Sequence, residues 1–120
     1  MLTEHQIQGQ IVEIFRLHHV LIIETDVMSG LQFFSHKDKR RYSFIAHHKK
    51  IGYTKGQPDL VIVLNNEVIF IEVKTPKGTM SPEQEEFKNY IELAGLKHIV
   101  MRSAEEALEL IKQCTKRNTV

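Results

Sequence analysis

"GQPDLVIVLNNEVIFIEVKTPKG", residues 56–78, decides how this 120-residue chain folds. Two apolar runs, "DLVIVL" and "EVIFIEVK", flank Asn65-Asn66, and asparagine tolerates the positive φ that a tight hairpin turn requires. With Asn65 and Asn66 as the loop, Leu64 faces Glu67, Val63 faces Val68, Leu60 faces Ile71 and Asp59 faces Glu72. A four-residue loop on the same centre gives the same pairing, whereas a three-residue loop would slip the register and destroy it. Directly opposed residues on antiparallel strands share a face, with Cβ atoms about 4.5–5.5 Å apart. Lys74, two residues beyond Glu72, points to that face as well. Asp59, Glu72 and Lys74 therefore converge at one end of the hairpin.

Ionised groups beside an apolar core are expensive, and two facing carboxylates repel. Lys74 offsets part of that cost, and a divalent cation would offset more. Two carboxylates with a nearby backbone carbonyl are oxygen donors of the kind that Mg²⁺ or Mn²⁺ prefers. The simpler alternative is an ion pair at a strand end.

Outward from the hairpin, the local signals are mostly those of helix ends. Thr3 and Gln6 form a capping-box pattern ahead of Ile7, Ile11, Ile14 and Phe15, which predicts an amphipathic helix over 4–17. "VLIIET", 20–25, reads as a strand, "DVMSG" as a turn and "LQFFS", 31–35, as a second strand. Residues 38–51 read as a basic helix ended by Gly52. After the hairpin, Ser81, Pro82 and Gln84 have the pattern of N-cap, first helical position and capping-box partner, for a helix reaching Ala94 with Gly95 ending it. "KHIVMR" reads as a strand, and Ser103 with Glu106 caps a last helix bearing Ala107, Leu108, Ile111 and Cys114. The order predicts one α/β domain.

Composition excludes several classes. No apolar run approaches the roughly 20 residues that span a bilayer, and "MLTEHQIQ" lacks the pattern of a signal peptide. One cysteine, Cys114, cannot form an internal disulfide or build a zinc cluster alone. The expectation is an intracellular protein with no membrane role. Net charge is +1, yet seven of the sixteen Lys and Arg residues lie between Ser35 and Gln57. These are Lys37, Lys39, Arg40, Arg41, Lys49, Lys50 and Lys55, with Asp38 the one acid among them. Such a block suits a phosphate backbone or, more blandly, a solvated surface.

Pro58-Asp59 followed by Glu72-Val73-Lys74 resembles the PD-(D/E)xK nuclease signature. The wider strings "GQPDL" and "IEVKTPKGTMSPEQEEF" resemble the virus-type replication-repair nuclease (VRR-NUC) family within that superfamily, and the likeness runs over nearly the whole chain. It implies a restriction-endonuclease-like fold, a central mixed β-sheet flanked by helices, that hydrolyses phosphodiester bonds of DNA with bound Mg²⁺ or Mn²⁺. By that likeness Asp59 and Glu72 hold the metal with the carbonyl of Val73, and Lys74 orients and helps deprotonate the attacking water. Glu4 matches the family's first-helix acid, which can reach the metal. An acid in a first helical turn is also favourable against the helix dipole, so both roles stay open. Gln84 matches the glutamine of the family's "SPxQ" helix, and it is also the capping-box partner.

The basic residues of the middle segment, with Lys77 in the loop after the motif, are the candidate nucleic-acid contacts. The pairs His18-His19 and His47-His48 diverge on any regular element and read as surface or phosphate-facing residues rather than zinc ligands. Tyr90 is expected in the core, with the catalytic cleft as the alternative. Resemblance to small stand-alone members implies a homodimer acting on branched DNA, in the manner of a Holliday-junction resolvase, in a bacterial or phage-encoded cytoplasmic setting of replication or repair. A catalytically silent DNA-binding module is the alternative.

Overall fold

The computed structural model describes residues 1–25, 35 and 37–118, with side chains described as far as 115. The chain runs through α1 (Glu4–Leu17), β1 (Leu21–Glu24), α2 (Lys39–Lys50), β2 (Leu60–Leu64), β3 (Glu67–Val73), α3 (Pro82–Leu93), β4 (Lys97–Met101) and α4 (Ala104–Asn118). The expected turn at 26–30 and nearly all of the strand expected at 31–35 lie outside the described residues.

The four strands form one sheet in the order β1-β2-β3-β4. β1, β2 and β3 are antiparallel, and β4 joins β3 in parallel. The β2–β3 hairpin has the register expected from its turn, from Leu64 opposite Glu67 to Leu60 opposite Ile71. Asn65 and Asn66 stand at φ 57° and 65°, both left-handed, as the twist-matched two-residue hairpin turn demands.

Period-two alternation then separates the faces of the sheet. Leu60, Ile62, Ile69, Ile71, Val73 and Met101 point to one side and pack with Ile7, Ile11 and Phe15 of α1 and Ala107 and Ile111 of α4. Each fully buried Val, Leu, Ile, Met or Phe side chain among them contributes roughly 1.5–3 kcal/mol by leaving water. On the other side α3 packs against β4. Among the described residues nothing fully covers the rest of that face, and Leu21, Ile23, Val63 and Val68 stay exposed on it.

The helices begin where their caps predict. Thr3 and Gln6 close a capping box at α1, as do Ser81 and Gln84 at α3. At α4, the Glu106 N–H donates to the Ser103 hydroxyl. α2 is capped by Asp38, which accepts the Arg40 N–H at 2.9 Å, and it buries none of its residues.

Tyr90 departs from the expectation of burial: it is 62% exposed. Phe87 and the buried Ile91, one turn apart, take the sheet-facing stripe of α3, and the adjacent position 90 is rotated out of it. The Tyr90 hydroxyl instead donates to Glu86 at 3.3 Å. His98, on β4 beneath α3, is buried with neither ring nitrogen hydrogen-bonded. Burial first, then Lys88, holds it below the usual histidine range. No helix among the described residues is long and apolar enough to cross a membrane.

Candidate active site

The site is assembled where β2 begins and β3 ends. Pro58 is fully buried and delivers Asp59 to the sheet, where the Asp59 carboxylate accepts the Val73 N–H at 2.8 Å. That bond ties the first acid to the backbone between the second acid and the lysine. Glu72 is 2% exposed, and its Oε2 has no hydrogen-bond partner. Its Oε1 accepts from the side-chain amide of Gln84 at 2.8 Å.

Burial pushes the Glu72 carboxyl up to about 8, and the Asp59 charge adds to the effect while Lys74 opposes it. The Lys74 ammonium is itself buried and lies 3.9 Å from both Glu72 and Glu4. At that distance neither is a tight ion pair. The cluster is therefore under-compensated: a desolvated Glu72 carboxylate with Asp59 beside it, one amine near them, and one carboxylate oxygen unsatisfied.

Those features fit a hard cation. Oxygen donors are present in Asp59, Glu72 and the backbone carbonyl of Val73, and an orphaned buried oxygen is the feature a metal would satisfy. Among the described residues no three His, Cys, Asp or Glu side chains gather as a metal cage, so the side-chain donors here are two. Glu4 stands half-exposed in the first turn of α1, as the helix dipole favours, with its carboxylate 3.9 Å from the Lys74 ammonium. Gln84 also combines its two roles. Its Oε1 accepts the Ser81 N–H at 2.8 Å, closing the capping box, and its Nε2 reaches Glu72.

The candidate nucleic-acid contacts divide by partner. Lys37, Lys39, Lys49, Lys50 and Lys77 are exposed, and Arg41 is half-buried. Arg40 is exposed and ion-paired to Asp38 at 2.7 Å. Lys55 is paired to Glu83 at 3.3 Å, which sets the turn before Pro58 against the first turn of α3.

Two further features lay beyond the sequence patterns. The Thr25 N–H donates to the Asp59 carbonyl at 2.9 Å, and its hydroxyl donates to the Pro58 carbonyl. Gln57 donates back to the Thr25 carbonyl at 2.5 Å. Thr25 and Gln57 thus meet beside Asp59. Arg102, after β4, hydrogen-bonds the loop that follows Lys74. Partners so far apart in the chain leave no local pattern; "QPD" marked only that position 57 precedes the motif.

A buried Glu72 beside a half-buried Asp59 and a lysine at a strand end, on a mixed sheet packed with helices, is the arrangement expected of a nuclease-type domain. The VRR-NUC domain model matches residues 2–105, and the chain belongs to the VRR-NUC family. Among solved structures, one described as a VRR_NUC domain protein is 19% identical, with a TM-score of 0.66 over 96% of this chain and 89% of its own. Another, described as a VRR_NUC domain, is 20% identical, with a TM-score of 0.62 over 91% and 94%. These neighbours share the α/β fold. No curated protein matches the sequence.

Proposed function

We propose that this domain is a Mg²⁺- or Mn²⁺-dependent endonuclease that hydrolyses DNA phosphodiester bonds, acts as a homodimer and selects branched DNA. The observation that carries the hydrolytic reading is Glu72: a fully buried carboxylate with an unsatisfied oxygen, beside Asp59 and Lys74. Nothing in mere binding of DNA calls for so costly an arrangement.

Asp59, Glu72 and the Val73 carbonyl would hold the cation. Bound there, it would neutralise charge on the phosphoryl oxygens and acidify water. Lys74 stands next to Glu72, where it can orient the nucleophile and donate to the phosphate. Gln84 holds one oxygen of Glu72 by donating to it, which leaves the other free to act as a ligand. The Asp59 carboxylate, already tied to the Val73 N–H, enters the site with its rotamer restricted.

DNA as the partner is supported by α2, a helix about 18 Å long by its rise per residue that carries Lys39, Arg40, Arg41, Lys49 and Lys50 and buries none of its residues. The exposed Lys39, Lys49 and Lys50 present their charges to solvent, and Gln57, beyond the helix, meets Thr25 beside Asp59. Branched selectivity and dimerisation rest on the family resemblance alone.

The test is cleavage of single-stranded, duplex, flap and four-way substrates with Mg²⁺ and with Mn²⁺, by the parent chain and by Lys74→Ala. Metal-dependent cutting by the parent and none by the variant is expected. Equal nicking by both would remove Lys74 from the chemistry, and tight binding without cutting would favour a silent DNA-binding module.

A further inference from the structure

We infer that Arg102 is a positioning residue of this site: it holds the turn Thr75–Gly78 so that Lys77 meets the nucleic-acid backbone at a fixed place relative to Lys74. The inference rests on the nuclease reading above and names one means by which the site grips phosphate.

Arg102 follows Met101, the last residue of β4, and is half-buried. A single nitrogen of its guanidinium, Nη1, donates to the carbonyls of Thr75 at 2.7 Å, Gly78 at 2.7 Å and Pro76 at 3.3 Å. The turn is closed on itself by the Gly78 N–H donating to the Thr75 carbonyl at 3.0 Å, with Pro76 at the position where its fixed φ is favoured. Three carbonyl dipoles aimed at one point repel one another, and a permanently charged donor lets them converge. A surface loop without such a device would satisfy its carbonyls with water and remain loose.

The anchor is fixed at its other end. The Arg102 N–H donates to the Glu106 carboxylate at 2.8 Å, in the first turn of α4. The neighbouring Met101 carbonyl accepts the Lys74 N–H at 3.1 Å. One short stretch, 101–102, therefore holds both the backbone of Lys74 and the turn that follows it. The residue inside that turn with a free-standing charge is Lys77, exposed and three positions from Lys74. The turn also spans the path from Lys74 to Ser81 and Gln84, the cap of α3 that reaches Glu72. Fixing it keeps the Lys77 cation in register with the amine of Lys74.

A double-mutant cycle on Lys77 and Arg102 tests this, read as kcat and KM on four-way-junction DNA and, in a Lys74→Ala background, as affinity for the same DNA by fluorescence anisotropy. Lys77→Ala is expected to raise KM about 5- to 10-fold while kcat stays within about twofold, the pattern of weakened ground-state binding. Arg102→Gln should reproduce that rise, and Arg102→Lys should recover part of it. Adding Lys77→Ala to Arg102→Gln should cost little more, and adding it to Arg102→Lys should cost only the part that lysine recovered, because both changes remove one interaction. Thermal unfolding with and without Mn²⁺ should show that Arg102→Gln still folds and still gains stability from the cation. Should Arg102→Gln fail to fold, Arg102→Lys carries the same comparison. Losses that multiply, or an unchanged KM in the Arg102 variants, would overturn the inference and leave the nuclease reading intact. A parent chain that neither binds nor cuts DNA would sink both.

Discussion

The side-chain amide of Gln84 spans two structures at once: its oxygen closes the cap of α3 on Ser81, and its nitrogen donates to Glu72. Gln84→Glu preserves the cap, since glutamate serves equally as a capping-box partner. It replaces a donor to Glu72 with a third carboxylate. The expected result is a lower Tm in metal-free buffer with a larger gain on adding Mn²⁺, read by thermal unfolding. Gln84→Ala should lose about 1 kcal/mol through the cap and show no such enlarged gain.

Glu72 also predicts the response to pH. Its carboxyl is raised from 4.5 to about 8 in the metal-free fold, chiefly by burial. A raised carboxyl binds more protons folded than unfolded, so its contribution weakens stability as pH climbs from 4.5 and levels off above about 8. Glu72→Gln, a neutral isostere, should therefore flatten that decline and raise metal-free stability at pH 8. The same change should abolish cutting. Denaturant unfolding at several pH values checks the sign, and an unchanged slope would contradict it.

Cation binding should displace a proton at neutral pH, because Glu72 must ionise to act as a ligand. Affinity for Mn²⁺ is expected to rise with pH up to about 8 and then plateau, following that carboxyl. Calorimetry in two buffers of different ionisation enthalpy would measure proton release directly. His98 works in the opposite sense. Its pKa is lowered, mainly by burial, so it favours the fold above its ordinary value of 6.5 and loses that contribution as pH falls below it. An apolar replacement such as His98→Leu should remove the acid-side loss while leaving the alkaline limb set by Glu72.

α2 offers a test of binding without folding. Since it buries no residue, replacing the exposed Lys39, Lys49 and Lys50 by alanine should leave Tm nearly unchanged. DNA affinity should fall, and the slope of log K against log salt should flatten by about 0.9 for each phosphate that is no longer neutralised. Titrations at several salt concentrations would show it.

Two glycines should respond in opposite directions. Gly56 has φ +90°, and a Cβ there would collide with the Glu83 carbonyl and approach the Gln84 N–H nitrogen to 2.9 Å. Gly56→Ala is expected to cost more than the 1–3 kcal/mol or so of backbone strain alone, and it should disturb the Gln84–Glu72 bond. Gly9 sits inside α1 with nothing within 4 Å of an added Cβ, so Gly9→Ala should stabilise by about 0.5–1 kcal/mol. Equilibrium denaturation of both variants makes the comparison.

Much of this protein was legible in its residues. Asn65-Asn66 between two alternating runs specified the hairpin and its register, because a two-residue turn with positive φ leaves only one pairing. Thr3–Gln6 and Ser81–Gln84 specified where α1 and α3 begin, because a cap closes within a single turn of chain. The hairpin register alone brought Asp59, Glu72 and Lys74 together. Packing decided the rest. That Glu72 is sealed from water, that Gln84 holds it, that Thr25 and Gln57 meet beside Asp59, that Arg102 grips the turn at Thr75–Gly78 and that Tyr90 turns outward all depend on how distant segments meet. Periodicity and capping report bonds made within a few residues or along one face, whereas desolvation and contacts across the sheet arise only once the helices have closed over it.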